Sequence, residues 1–211
     1  MTIDTLGTLI LGWLFVLLSP VIGHAIQKRY REKEIRQSII AEFSELRPRI
    51  ATAAYKCESR FGTYDRTLDD WLISILEKHK GRTEIDSCLS NLKEVAALDD
   101  PAFLEHAKRQ KARPYEGLGV KKYRVPYLDS NIGELGIFDE RSRSAILEVR
   151  AQLEMFNEEI DEARLYQKMT FDLRDSEINH PIACQLAQNS YKSLGQRAKQ
   201  IADRIEPILA G

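Results

Sequence analysis

Glu177 and His180 stand three residues apart, the E-x-x-H spacing with which helical bundles hold a pair of metal ions. Such a site needs one copy of the motif from each of two helices and a Glu from each of two others. Only one copy occurs here, and Pro181 follows it directly, which disfavours helical backbone at His180. His180 and Cys184, four apart, are two ligands where zinc takes four. His24, His79 and His106 are isolated from any partner that spacing can identify. Phosphate-binding loops, dinucleotide fingerprints, nucleophile elbows and the H-E-x-x-H string do not occur. No catalytic, cofactor-binding or metal-ligating residue is therefore assigned, and no cofactor is expected. A metal-dependent enzyme of unknown substrate working from Glu177 and His180 is the last of the functional alternatives.

Charge offers more. Between Lys108 and Arg124 seven cations, Lys108, Arg109, Lys111, Arg113, Lys121, Lys122 and Arg124, face Glu116 alone, with Tyr115 and Tyr123 interleaved. Such a segment suits phosphate or carboxylate groups, whether on nucleic acid, lipid headgroups or a protein. Its counterpart is an acidic cluster, Glu154, Glu158, Glu159, Asp161 and Glu162, whose default reading is a solvated helix face. The two can also pair within one molecule. Lys+Arg 31 against Asp+Glu 32 gives a net charge of -1, a balance that disfavours nucleic acid as the partner.

The elements that must carry these residues are helices. Gly and Pro are few, and Ala, Leu, Glu, Lys, Arg and Gln dominate, so propensity favours an all-α fold. The 211 residues, 43% apolar and 30% charged, suit one core plus an anchor. Cys57, Cys88 and Cys184 are odd in number and widely spaced, and each falls on an apolar stripe, as buried thiols in a reducing compartment do.

The anchor is the run Leu6 to Gly23. It carries no charge, and Leu6, Leu9, Ile10, Leu11, Trp13, Leu14, Phe15, Val16, Leu17 and Leu18 make it nearly all apolar. A span of ~20 such residues crosses ~30 Å of hydrocarbon as a helix. No Lys or Arg precedes the run, which is the wrong polarity for a secretory signal, whereas Lys28, Arg29, Arg31, Lys33 and Arg36 follow it closely. The positive-inside rule then predicts a single-pass protein of the inner (cytoplasmic) membrane, N-terminus out and C-terminal domain cytoplasmic. Residues 1–23 are the transmembrane anchor and 24–211 a helical-bundle domain.

Along that domain Ile39, Phe43, Leu46, Ile50, Ala53 and Cys57 recur at helical spacing, in a helix that leaves the membrane without a Gly/Pro break and that Pro48 should bend or split near Leu46. Short helices follow, one capped by Asp65 or Thr67, one from Thr83 to about Leu98, and one with Asp100 as cap and Pro101 first in the helix. Helical periodicity fails from Lys111 to Phe138, a long loop with room for an extended stretch at Val120 to Leu128 and a helical turn at Ser130 to Gly136. Loops of that length tend to bind. Asp139 caps the next helix, with the seam Ile146, Val149, Leu153, Phe156, Ile160 and Ala163. The last helix starts at Pro181 and carries Cys184, Ala187, Tyr191, Leu194, Ala198, Ile201, Ile205 and Ile208. These two should pack antiparallel and, with the first, make a bundle.

Within the loop, Val125 to Phe138 (VPYLDSNIGELGIF) leads an apolar residue and Pro into Asp129 and Asn131, then Leu135, Gly136 and Ile137 into the long helix. It resembles a segment of a poorly characterised group of bacterial proteins with one N-terminal membrane helix and an all-helical cytoplasmic domain. The likeness covers the anchor and Val125 to Tyr166, and implies that architecture without catalytic residues.

The functional expectation is a membrane-anchored helical interaction or scaffold protein. Its partners would be membrane lipid and a protein or a second copy of itself, with Lys108 to Arg124 as the interaction loop. A membrane-associated effector of a stress or phage-defence response is the first alternative.

Overall fold

The computed structural model describes residues 3–113, 116–173 and 176–210, with side chains from Gly23 onward. Seven α-helices are described: α1 (Ile3–Phe61), α2 (Arg66–Leu76), α3 (Thr83–Ala96), α4 (Asp100–Gln110), α5 (Pro126–Ser130), α6 (Glu140–Asp172) and α7 (Asn179–Ala210). Tighter 3-10 turns follow α2 at Glu77–His79 and α5 at Ile132–Ile137, and no strand occurs among the described residues. The fold is all-α.

The run read as the anchor is the N-terminal part of α1. Through residue 22 its side chains lie outside those described, so Leu6, Leu9, Ile10, Leu11, Trp13, Leu14, Phe15, Val16, Leu17 and Leu18 are not placed. Among the described residues no helix is long and apolar enough to cross a membrane.

Three long helices make the body. Helix α7 packs along both α1 and α6 and is antiparallel to each. Tyr191 near its start stacks on Phe61 at 4.7 Å, and Arg47 of α1 reaches Ala202 and Glu206 near its end. On the other flank Glu159 meets Arg197, and Glu148 meets Arg204. All the seam positions of α6 and α7 are buried, as are Ile39, Phe43, Leu46, Ile50, Ala53 and Cys57 of α1. Each large apolar side chain so buried contributes ~1.5–3 kcal/mol, more than the ~0–0.7 kcal/mol by which ordinary residues differ in helix propensity. Gly195 lets α7 come close to α1: a Cβ there would lie 3.0 Å from the Cβ of Cys57 and from a Glu58 carboxylate oxygen.

Three local expectations are corrected. Of the bend or split expected at Pro48, the split does not occur: α1 runs unbroken for 59 residues. Proline costs a helix interior ~3 kcal/mol, but here Leu46, Arg47 and Ile50 around it are buried in the body, and Thr52 donates its hydroxyl to the Pro48 carbonyl at 2.8 Å. The cap of α4 is Asp99, accepting from the Ala102 N–H at 2.9 Å, so Asp100 is already helical. Helix α7 begins at Asn179, taking His180 into its first turn, because Ser176 draws in the His180 and Asn179 N–H groups at 3.0 and 3.1 Å.

The long loop departs most from expectation. No strand forms at Val120 to Leu128: residues 120–125 carry no regular secondary structure, and α5 and the 3-10 turn take 126–130 and 132–137. Val120, Val125, Leu128, Leu135 and Phe138 are buried in the main core. This segment, 116–138, is a strap bonded to α1 on one side and to α6 on the other. Glu42 of α1 accepts the Tyr127 and Leu128 N–H groups at 3.0 and 2.9 Å, capping α5 from outside its own sequence. Asn157 of α6 pairs with the Tyr123 backbone in both directions, at 2.9 and 2.7 Å, and Arg164 donates to the Val120 carbonyl at 2.9 Å.

Helices α2 to α4 close the remaining side. Asp65 caps α2, accepting from the Leu68 N–H at 3.1 Å. Gly81, at φ 99°, turns the chain between α2 and α3 in the left-handed region that glycine enters without strain.

Candidate functional site: a basic groove

Helix α1 has a second ladder beside its apolar seam. Glu42, Glu45, Arg49, Thr52 and Lys56 recur at spacings of three and four, a polar stripe on one face. That stripe forms one wall of a groove of about 1330 Å³. The strap supplies the opposite wall with Lys121, Lys122 and Arg124, and the start of α3 closes one end with Arg82, Glu84 and Cys88. Leu46, Pro48, Ile85 and Tyr123 give it apolar surface.

Four of the nine charged side chains in this lining are committed. Arg82 holds Glu45 through both guanidinium nitrogens, and that hydrogen bond keeps the Glu45 carboxyl below the usual carboxylate range. Glu42 is spent on α5, and Lys122 pairs with Asp161 of α6. Arg49, Lys56, Lys121 and Arg124 are exposed and form no ion pair among the described residues. The Tyr123 ring stacks on Phe156 with centroids 6.1 Å apart, and its hydroxyl donates to the Arg49 carbonyl at 3.2 Å. Burial pushes the Tyr123 phenol and the Cys88 thiol up, so neither is an ionised nucleophile at neutral pH.

The interaction loop expected from sequence does not gather into one patch. Lys121, Lys122 and Arg124 enter the groove. The others sit at the far end of α1: Lys111 donates to the Gly62 carbonyl, the Arg113 N–H to Glu116 at 3.2 Å, and Arg109 pairs with Glu105 in its own helix. Lys108 lies exposed at the end of α4. Ala112 bonds the Arg60 carbonyl, eleven residues or ~16 Å along α1 from Arg49. Tyr115 lies outside the described residues. The groove's other cations, Arg49, Lys56 and Arg82, went unassigned in the sequence, although the three-four ladder on α1 is legible there.

The cations that follow the apolar run line a second, smaller cleft of about 690 Å³, where Lys28, Arg29, Lys33 and Arg36 face Gly133 and Gly136 of the 3-10 turn. Arg31 pairs with Glu134 at 3.5 Å, and Arg36 lies over the Phe138 ring at 5.6 Å.

Of the groups with metal-binding spacing, His180 turns its Nε2 toward the Cys184 sulfur at 3.6 Å. No group of three His, Cys, Asp or Glu side chains that could hold a metal forms among the described residues. A buried polar cluster was not foreseen. Tyr55 donates to Asp69 Oδ1 at 2.9 Å and shares a hydroxyl bond of 2.9 Å with Tyr64. Asp69 is fully buried, and its Oδ2 has no hydrogen-bond partner among the described residues. Burial raises its carboxyl, and it pushes the Tyr64 phenol up to about 12.

No family model matches the chain, and comparison with curated proteins and with solved structures returns no significant match.

Proposed function

We propose that this chain is a single-span membrane protein whose helical body is held on the cytoplasmic side as an interaction module, with the groove as its working surface. The observation that carries the interaction reading is the set of four uncommitted cations, Arg49, Lys56, Lys121 and Arg124, placed on two walls of a groove in a rigid frame. The uncharged run from Leu6 to Gly23, with Lys28, Arg29, Arg31 and Lys33 after it, supports the anchor and its orientation. The continuity of α1 supports a fixed height. Glu42 lies twenty residues beyond Ile22, so the groove would stand ~30 Å along the helix from the end of the apolar run.

Alkaline carbonate extraction of membranes from expressing cells tests the anchor. The full chain should stay in the pellet and leave it only with detergent, and a chain lacking residues 1–23 should appear in the supernatant. Recovery of the full chain in the carbonate supernatant would overturn the anchor.

A further inference from the structure

Building on that reading, we infer that the groove takes an acidic, partly apolar segment of a partner protein. Arg49 and Lys56 lie seven residues apart on one face of α1, ~10.5 Å along its axis, and Lys121 and Arg124 oppose them from the strap. Leu46, Pro48, Ile85 and the Tyr123 ring line the same groove as these cations and give it apolar surface. A chain that alternates carboxylates with apolar side chains matches both features, carboxylate to cation and apolar side chain to apolar surface.

Other anions fit less well. A nucleic-acid strand carries a charge at every nucleotide, and Glu45 and Glu84 inside the groove would face it at fixed spacing. Tyr123 offers no platform for a base, since its ring already stacks on Phe156 and its hydroxyl is bonded to α1. A bilayer is too distant: ~30 Å of helix separates the groove from the apolar run, several times the ~8 Å screening length at physiological salt. A small anion would leave most of the groove empty, as small-molecule pockets run to ~300–1000 Å³ and this one is about 1330 Å³. A second copy's acidic helix also fits less well, because only Glu158 and Glu162 of its cluster are exposed without an ion pair among the described residues, two carboxylates against four cations. On α6, Glu154 is held by Arg150, Glu159 by Arg197, and Asp161 by Lys122 and Arg164.

The test uses the full chain in non-ionic detergent and fluorescence anisotropy with three labelled probes: a peptide of repeating Glu-Ser-Leu, the same peptide with Gln for Glu, and an oligothymidylate of matching length. The acidic peptide should bind at least tenfold more tightly than either control. Combining Arg49→Gln, Lys56→Gln, Lys121→Gln and Arg124→Gln should abolish that preference, while Lys108→Gln with Arg109→Gln, outside the groove, should leave it intact. The reversal Lys121→Glu, at one exposed strap position, repeats the test with little risk to folding. Equal binding of the Glu and Gln peptides, full binding by the well-folded quadruple variant, or tighter binding of the oligothymidylate would each overturn the inference. The carbonate extraction is independent of all three arms, so loss of the anchor reading and loss of the groove reading are separate results.

Discussion

The α6–α7 face and the strap face of the same bundle both bury apolar side chains in one core, but their backbones are fixed in different ways. Between α6 and α7 the contact is a seam of Ile, Leu, Val, Phe and Ala repeating at helical spacing, every seam residue buried by the other helix or by α1. Across the strap the chain has no periodic partner. Its backbone groups are met one at a time by side chains far away in sequence: Glu42, Asn157 and Arg164, with Tyr191 donating its hydroxyl to the Leu118 carbonyl at 3.3 Å. The first mode yields a smooth surface that buries itself completely. The second leaves a gap between α1 and the strap, and that gap is the groove. A surface built by single hydrogen bonds can retain open volume and unpaired charge where an apolar seam cannot.

The comparison breaks most visibly at the residue both faces share. Phe156 is fully buried on the α6 seam and also carries the Tyr123 ring of the strap. Phe156→Ala should cost ~3–5 kcal/mol in urea denaturation, with both faces unfolding in one transition. Glu42→Ala separates them. It removes the acceptor of the Tyr127 and Leu128 N–H groups and should cost ~1–3 kcal/mol. Hydrogen exchange should quicken in residues 125–130 and stay slow in the middle of α7. Equal loss of protection in both would mean that the strap and the seam are one cooperative unit.

The same contrast decides what the sequence disclosed. The seams of α1, α6 and α7 were legible because burial along a helix imposes a repeat, and every seam residue assigned from that repeat is buried. The caps Asp65 and Asp139 were legible because they act within three residues. The strap was not, because Glu42 lies 85 residues from the Tyr127 N–H that it accepts, and no local pattern encodes that distance. Pro48 misled for the same reason: its local cost is outweighed by packing that only the assembled bundle provides. The basic segment Lys108 to Arg124 is continuous in sequence but not in space, and of the pairing with the acidic helix face that the sequence allowed, Lys122 to Asp161 forms. The two halves of the segment are tied to opposite ends of the stretch from Arg49 to Gly62.

A smaller effect comes from the buried cluster under α2. Burial raises the Asp69 carboxyl, so the folded state binds its proton more tightly than the unfolded chain does. Its contribution is therefore fullest below the ordinary aspartate value of ~3.9 and is lost as pH rises through the raised folded value. Carboxylates held low, such as Glu45 and Glu206, work in the opposite sense and lose stability on acidification. Asp69→Asn keeps an acceptor for Tyr55 and removes the titration. Its stability relative to the parent chain should rise with pH across that window, followed by urea denaturation from acid to neutral pH. A constant difference would place the ionisation of Asp69 outside the folding balance.

The smallest expected effect bears most directly on how the strap is held. Lys122 pairs with Asp161, and Arg150 with Asp129 at 2.7 Å and Glu154 at 3.0 Å, so charge also crosses from strap to α6. These side chains are 32–59% exposed, where an ion pair contributes ~0–1 kcal/mol and salt screens it. Lys122→Gln with Arg150→Gln should therefore cost less than ~1 kcal/mol, below Glu42→Ala alone. Molar salt, which shortens the screening length to ~3 Å, should lower the parent's melting temperature only slightly. If the double variant instead cost as much as Glu42→Ala and the parent melted early in salt, the strap would be held by charge. Filling Arg49, Lys56, Lys121 and Arg124 with a carboxylate-bearing partner would then tighten the strap as well as occupy the groove.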